Sequence, residues 1–238
     1  MTTDSTPALD ARSLAKDYGD GPALYPLTLR VDDGEKIALI GHNGSGKTTF
    51  LRMCTGLLEP ASGTVSIFGH RPGSVEARRA LSYLADTPTF YDDLSVWEHL
   101  EYTARLHDTD DWEQKGADLL GALGIYERAD DLPSRFSRGL KQKAAIAIAF
   151  IRPFRVLLVD EPFVGLDADG KEALLDLFDE ASDSGATLVV ATHELSFVAR
   201  TSRTVALRDG RLIFDGSSAD AGARGLVATE GTGNSADA

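Results

Sequence analysis

The sequence predicts an α/β protein: a parallel β-sheet core with an antiparallel β subdomain at its amino-terminal end and a helical subdomain inserted in its middle. Three observations carry this. Residues 37–40, 156–159 and 188–191 are continuously apolar, as strands covered on both faces are. Neighbouring segments repeat apolar residues at helical spacing, for example Ala173, Leu174, Leu177, Phe178 and Ala181,. The apolar runs are followed by Gly41-His42-Asn43-Gly44, Asp160-Glu161 and Thr192-His193. Those are strand carboxyl ends, where open α/β sheets gather their ligands.

In chain order, residues 1–7 are small and polar and are expected to be a mobile tail,. Between residues 9 and 31 apolar positions alternate, most clearly Leu27, Leu29 and Val31 around Thr28 and Arg30, the period of a half-exposed strand. Asp32-Asp33-Gly34 then turns the chain,. A strand is expected at 81–84. From about 95 to 150 no comparable buried strand occurs: Trp97, Leu100 and Ala104, then Trp112, Leu119 and Leu123, fit amphipathic helices,. The helical subdomain is placed at about 87–152. Asp209-Gly210 between two apolar stretches predicts a hairpin over 205–214,. Residues 216–238, rich in Gly, Ser, Ala, Thr and Asp, are expected to form a flexible tail,. This leaves 8–215 as one domain.

Length and composition bound the function. A chain of 238 residues holds one sizeable core, with room for a small satellite but not for two full enzyme domains,. Its 37 Asp and Glu against 24 Lys and Arg give a net charge of −13, which argues against nucleic acid as a partner, because neutralising phosphates needs a basic face. No apolar run approaches the roughly 20 residues that span a bilayer. The start lacks a secretion signal, and the single Cys54 has no internal disulfide partner and is expected to be a small core residue,. A cytoplasmic location is expected.

Gly41, His42, Asn43, Gly44, Ser45, Gly46, Lys47 and Thr48, with Thr49 opening the next helix, fill the pattern G-x-x-x-x-G-K-[ST] directly after a predicted buried strand,. The glycines let successive N–H groups turn toward phosphate oxygens, and the helix aims its positive end at the same place. Lys47 is expected to bridge the β- and γ-phosphates and the Thr48 hydroxyl to ligate Mg²⁺. His42, at a variable position, is assigned backbone contacts only. At the end of the second apolar run, Asp160 is the candidate metal carboxylate and Glu161 the candidate general base, since holding a magnesium and activating a water are two roles. His193 stands where an imidazole reaches the γ-phosphate and the attacking water. Ser137, Arg138 and Gly139 precede the nearly all-apolar stretch 144–151; Ser137 reads as an N-cap, leaving free N–H groups and Arg138 as a second anion-binding helix start,.

In this order of motifs the chain resembles the nucleotide-binding subunits of ATP-binding cassette (ABC) transporters across most of residues 8–215, a P-loop NTPase fold. The resemblance implies that Tyr18 stacks on adenine and that Phe136-Ser137-Arg138-Gly139-Leu140 is the signature segment. It also implies that Val164-Gly165-Leu166-Asp167 is the D-loop and His193 the switch histidine. From it follows a head-to-tail dimer, with itself or a homologous subunit, that closes the cradle of one chain and Ser137, Arg138 and Gly139 of the other on one ATP. A multi-helix membrane permease is the implied partner, with the chain peripheral on the inner face of the membrane. Where the family usually has Gln, this sequence has Asp86, a candidate for Mg²⁺ or water. Asp86 and the Ser-Arg-Gly signature are similar to subunits that serve exporter-type permeases encoded as separate chains. A P-loop nucleotide kinase and a soluble ATP-gated regulator outside transport are the alternative readings.

Overall fold

The computed structural model describes residues 6–226. The chain opens with strands β1 (Leu9–Asp17), β2 (Pro22–Val31) and β3 (Lys36–Ile40), then helix α1 (Lys47–Thr55). Strand β4 (Ser62–Ile67), the short helix α2 (Val75–Ala80) and strand β5 (Leu81–Leu84) follow. Three helices come next: α3 (Val96–Leu106), α4 (Trp112–Ala122) and α5 (Arg138–Ile151). The last third runs β6 (Val156–Asp160), α6 (Ala168–Asp183), β7 (Thr187–Ala191), α7 (Leu195–Val198), β8 (Arg203–Arg208), β9 (Arg211–Ser217) and α8 (Ser218–Ala223).

The main sheet has the order β5-β6-β7-β3-β8-β9. It is parallel except for β9, which pairs antiparallel with β8. All three continuously apolar runs are central strands of this sheet. Their side chains alternate between two cores. Ala38, Ile40, Leu157, Val159, Leu188 and Val190 join one with the helices, whereas Ile37, Leu39, Val156, Leu158, Val189 and Ala191 join the other with α1 and the smaller sheet. The expected amino-terminal antiparallel subdomain is a three-stranded sheet of order β2-β1-β4; its third strand is recruited from beyond α1, which the alternation in residues 9–31 did not reveal. Cys54 is fully buried, and burial pushes its thiol up from the usual range.

Helices α3 to α5 share the first core with the main sheet. A capping box between Ser95 and Glu98 opens α3, and the Trp97 and Trp112 rings lie 5.2 Å apart where α3 meets α4. Ser82 in β5 donates to the Ala149 carbonyl in α5 at 2.8 Å.

Folded structure continues past residue 215, where the flexible tail was expected to begin. Ser217 caps α8 by accepting from the Asp220 N–H at 3.1 Å, the Ser218 hydroxyl lies 2.8 Å from that of Thr204, and Ala221 is buried. Small polar residues that look like a tail in composition serve here as a cap and as hydroxyl partners. The remainder of that expected tail, 227–238, and most of the amino-terminal one lie outside the described residues. Among the described residues no helix is long and apolar enough to cross a membrane.

Candidate functional site

The glycine-rich turn lies between β3 and α1. Within it the Ser45 N–H donates to the His42 carbonyl at 3.0 Å, and the Phe50 N–H picks up the Gly46 carbonyl at 2.9 Å, starting the helix. Gly46 has φ 101°, and a Cβ there would stand 2.9 Å from the Ala23 carbonyl oxygen; only glycine fits both conditions.

Lys47 turns its buried side chain back across this loop. Its ammonium donates to the Gly41 carbonyl and lies 3.2 Å from Glu161 Oε1 and 3.5 Å from His193 Nε2. His193 Nε2 is itself 3.2 Å from Glu161 Oε1. That oxygen is buried and, among the described residues, forms a well-directed hydrogen bond with neither neighbour. Three groups from three strand ends thus meet at one point. Glu161 adopts φ 46°, a left-handed conformation unusual for a residue with a side chain, worth about 1–3 kcal/mol of strain. Its N–H is anchored on the Ala191 carbonyl at 2.8 Å.

Beneath them Asp160 is wholly inaccessible, and among the described residues neither carboxylate oxygen has a hydrogen-bond partner. Burial raises its pKa above the usual carboxylate range; the charges of Asp86 and Glu161 add to this, while the Thr48 hydroxyl and Lys47 oppose it. A buried anion without a partner is costly. Its orphaned oxygens are hard donors of the kind magnesium takes, and the Thr48 hydroxyl and the exposed Asp86 on the rim are the other oxygen-bearing side chains that could join it,.

His193 is half-exposed. The neighbouring Glu194 N–H donates to the buried Thr192 hydroxyl at 3.0 Å, and the Glu194 carboxylate pairs with Lys171 of α6 at 2.6 Å, which holds its pKa below the usual value.

A cleft of about 730 Å³ collects residues 42–49, Ala23, Asp86, Arg138, Glu161, Val164 and His193. Of the three signature residues only Arg138 lines it. Ser137 caps α5, its hydroxyl accepting from the Leu140 N–H at 3.4 Å, and is exposed. Gly139 lies against the loop after the acidic pair, where a Cβ would stand 2.4 Å from the Gly165 carbonyl oxygen. Tyr18 is 57% exposed in the β1–β2 turn with the Lys16 ammonium 5.4 Å from its ring centre, and it does not line the cleft.

Two residues of α5 outside the sequence-derived set tie these parts together. Buried Gln142 of α5 donates to the Pro162 carbonyl at 3.1 Å, and Lys143 pairs with Asp167 at 2.9 Å. Asp167 also caps α6 by accepting from the Gly170 N–H at 3.0 Å. Lys143 and this cap hold the Asp167 pKa below the usual value. The cap is legible in the sequence as an Asp before a helical run; the partners on α5 have no local signal.

The chain is similar to known proteins over most of its length. Residues 24–164 match the family described as ABC transporter. The SkfA peptide export ATP-binding protein SkfE of Bacillus subtilis (strain 168) is 33% identical over 210 residues, 87% of this chain and 88% of that protein. The macrolide export ATP-binding/permease protein MacB of Nitrosomonas europaea is 31% identical over 229 residues, which is 90% of this chain but 35% of that longer protein. A solved structure described as the ATP binding subunit of an ABC transporter superposes with a TM-score of 0.84 at 33% identity, covering 93% of this chain and 95% of that one.

Proposed function

The chain belongs to the ABC transporter family of ATP-binding proteins, and we propose that it is the ATP-hydrolysing motor subunit of an exporter, paired head to tail and attached to a separate membrane permease. As a member of that family it is a P-loop ATPase. The observation that carries the reading is the meeting of Lys47, Glu161 and His193 within 3.5 Å over the buried, unpartnered Asp160, at the mouth of the glycine-rich turn.

In this reading residues 41–49 cradle the triphosphate with their N–H groups, and Lys47 exchanges its contact with Glu161 for phosphate oxygens. Glu161 takes a proton from the water whose oxygen attacks the γ-phosphorus; the bond to the ADP oxygen breaks, and ADP and phosphate leave. His193, beside both Lys47 and Glu161, orients that water against the γ-phosphate. Asp160, with Thr48 and Asp86, would hold magnesium, which when bound neutralises charge on the β- and γ-phosphates. Tyr18 stacks on adenine from the β1–β2 turn that leads into Ala23 of the cleft wall.

The exposed start of α5 supports the dimer. Ser137 caps α5 yet is open to solvent, so its hydroxyl and the first N–H groups of the helix are placed to meet a phosphate held by a second chain. A groove of about 760 Å³ beside β5 supports a partner of another kind. Leu57, Val75, Phe90 and Leu106 line it beside Arg78, Arg79 and Arg152, and Leu57 is 70% and Leu106 60% exposed, a mixed apolar and basic surface suited to a protein contact. The export direction is supported by the names of SkfE and MacB.

Phosphate release by the purified chain, with and without Glu161→Gln, tests the enzyme. The variant is expected to lose about 10²–10⁴ of the rate, and equal rates refute the assigned base. Transfer of phosphate to an added nucleoside monophosphate would instead identify a kinase. Isolation of the tagged chain from its own cells is expected to bring with it a polytopic membrane protein; recovery with ribosomes would overturn the transport role.

A further inference from the structure

The turn between β8 and β9 is a tight Asp-Gly hairpin, with φ 48° at Asp209 and 72° at Gly210, both left-handed as such turns require. It also reaches the phosphate cradle. The Gly210 N–H donates to the Ser45 carbonyl at 3.1 Å, and Asp209 Oδ1 lies 3.2 Å from His42 Nε2. From behind, the Gly210 carbonyl accepts from the Tyr25 N–H at 2.8 Å. A Cβ on Gly210 would stand 2.9 Å from the carbonyl oxygen of Ala23, a residue of the cleft wall. Gly210 therefore fastens Ser45 of the cradle from outside with a backbone hydrogen bond, the exposed Asp209 carboxylate stands beside exposed His42, and the turn is itself fastened to β2.

The consequence follows from the planarity of the peptide unit. In a trans peptide the carbonyl and the next N–H point in opposite directions. Holding the Ser45 carbonyl on Gly210 therefore aims the Gly46 N–H away from the hairpin. We infer that the Asp209–Gly210 turn is a positioning element of the phosphate cradle: it sets the direction of the Gly46 N–H and the seat of His42, and through them nucleotide affinity, without touching reacting atoms. This rests on the reading of residues 41–49 as a triphosphate site.

The test compares Asp209→Asn with Asp209→Val, and adds Gly210→Ala. Asn and Val are both uncharged, but Asn accepts a left-handed backbone and Val does not. Their difference therefore reports the turn's conformation together with the polar contact to His42, and not its charge. The purified variants are measured for ATP Kd by equilibrium binding, for KM and kcat, and for thermal midpoint. From Asn to Val, Kd and KM are expected to rise about tenfold while kcat at saturation changes by less than about twofold. Hydrogen exchange across residues 41–48 is expected to quicken in the Val and Ala variants. A turn that served stability alone would lower the midpoint and leave Kd unchanged. Equal Kd for the Asn and Val variants overturns the inference, whatever Gly210→Ala does. Failure of the wild-type chain to bind ATP at all is a different result, and it sinks the underlying reading of the cradle.

Discussion

Lys47 Nζ lies 3.2 Å from Glu161 Oε1, with both side chains largely shielded from solvent. The cation that the motif assigns to phosphate is thus balanced by the carboxylate assigned to water activation. An incoming triphosphate must displace this carboxylate to take Lys47. Glu161→Gln should therefore bind ATP about 3- to 10-fold more tightly than wild type, measurable by titration with a fluorescent analogue. Unchanged or weaker binding would show that the contact does not compete with nucleotide.

Asp160 sets stability against function. Its pKa is raised chiefly by burial, so the folded chain keeps this proton to higher pH than the unfolded chain does. The associated stability is complete below the ordinary carboxylate pKa, about 4, and is lost as pH rises through the raised value. Asp160→Asn should remove that dependence and be more stable than wild type at pH 7 by about 1–3 kcal/mol, with a correspondingly higher melting temperature, while losing Mg²⁺-dependent turnover. A lower melting temperature than wild type at pH 7 would contradict this account.

Asp86, exposed on the cleft rim, is expected to act on the metal rather than on the fold. Asp86→Ala should raise the Mg²⁺ concentration for half-maximal turnover, by about tenfold for one lost charged ligand, with little change in thermal midpoint. An unaltered Mg²⁺ titration would remove Asp86 from the metal site.

Gln142 joins α5 to the loop after the acidic pair through the Pro162 carbonyl. Gln142→Leu leaves that buried carbonyl unpaired and should cost about 1–3 kcal/mol in denaturant unfolding. Turnover should fall with it, because the same loop follows Glu161. A stability within a few tenths of wild type would mean that water replaces the lost donor.

Ser137 tests the paired arrangement. In Glu161→Gln, where ATP persists, light scattering should report twice the monomer mass with Mg-ATP; adding Ser137→Arg should return the monomer while ATP binding by one chain survives. Dimerisation that ignores Ser137 would place the contact elsewhere.

The parts legible in the sequence were those whose signal is local. The three apolar runs became central strands because burial on both faces leaves no polar position, and the cradle was visible because its glycines, Lys47 and Thr48 are contiguous. The Ser137 cap follows from a short side chain placed just before a helical run. The hairpin at Asp209-Gly210 was equally plain. What stayed hidden were contacts between residues far apart in the chain, such as Gln142 with Pro162, and the recruitment of β4 beside β1.

By itself the sequence determined the order of chemical groups along the chain and the strand ends that carry them, because hydrophobic period and turn chemistry act over a few residues. Only the tertiary structure decided that Lys47, Glu161 and His193 share one point, that Asp160 lies beneath them without a partner, and that a hairpin 160 or more residues downstream braces the cradle. Those facts depend on strand order in the sheet. Placing β3 between β7 and β8 brings the three loops together, and no local propensity encodes that neighbourhood.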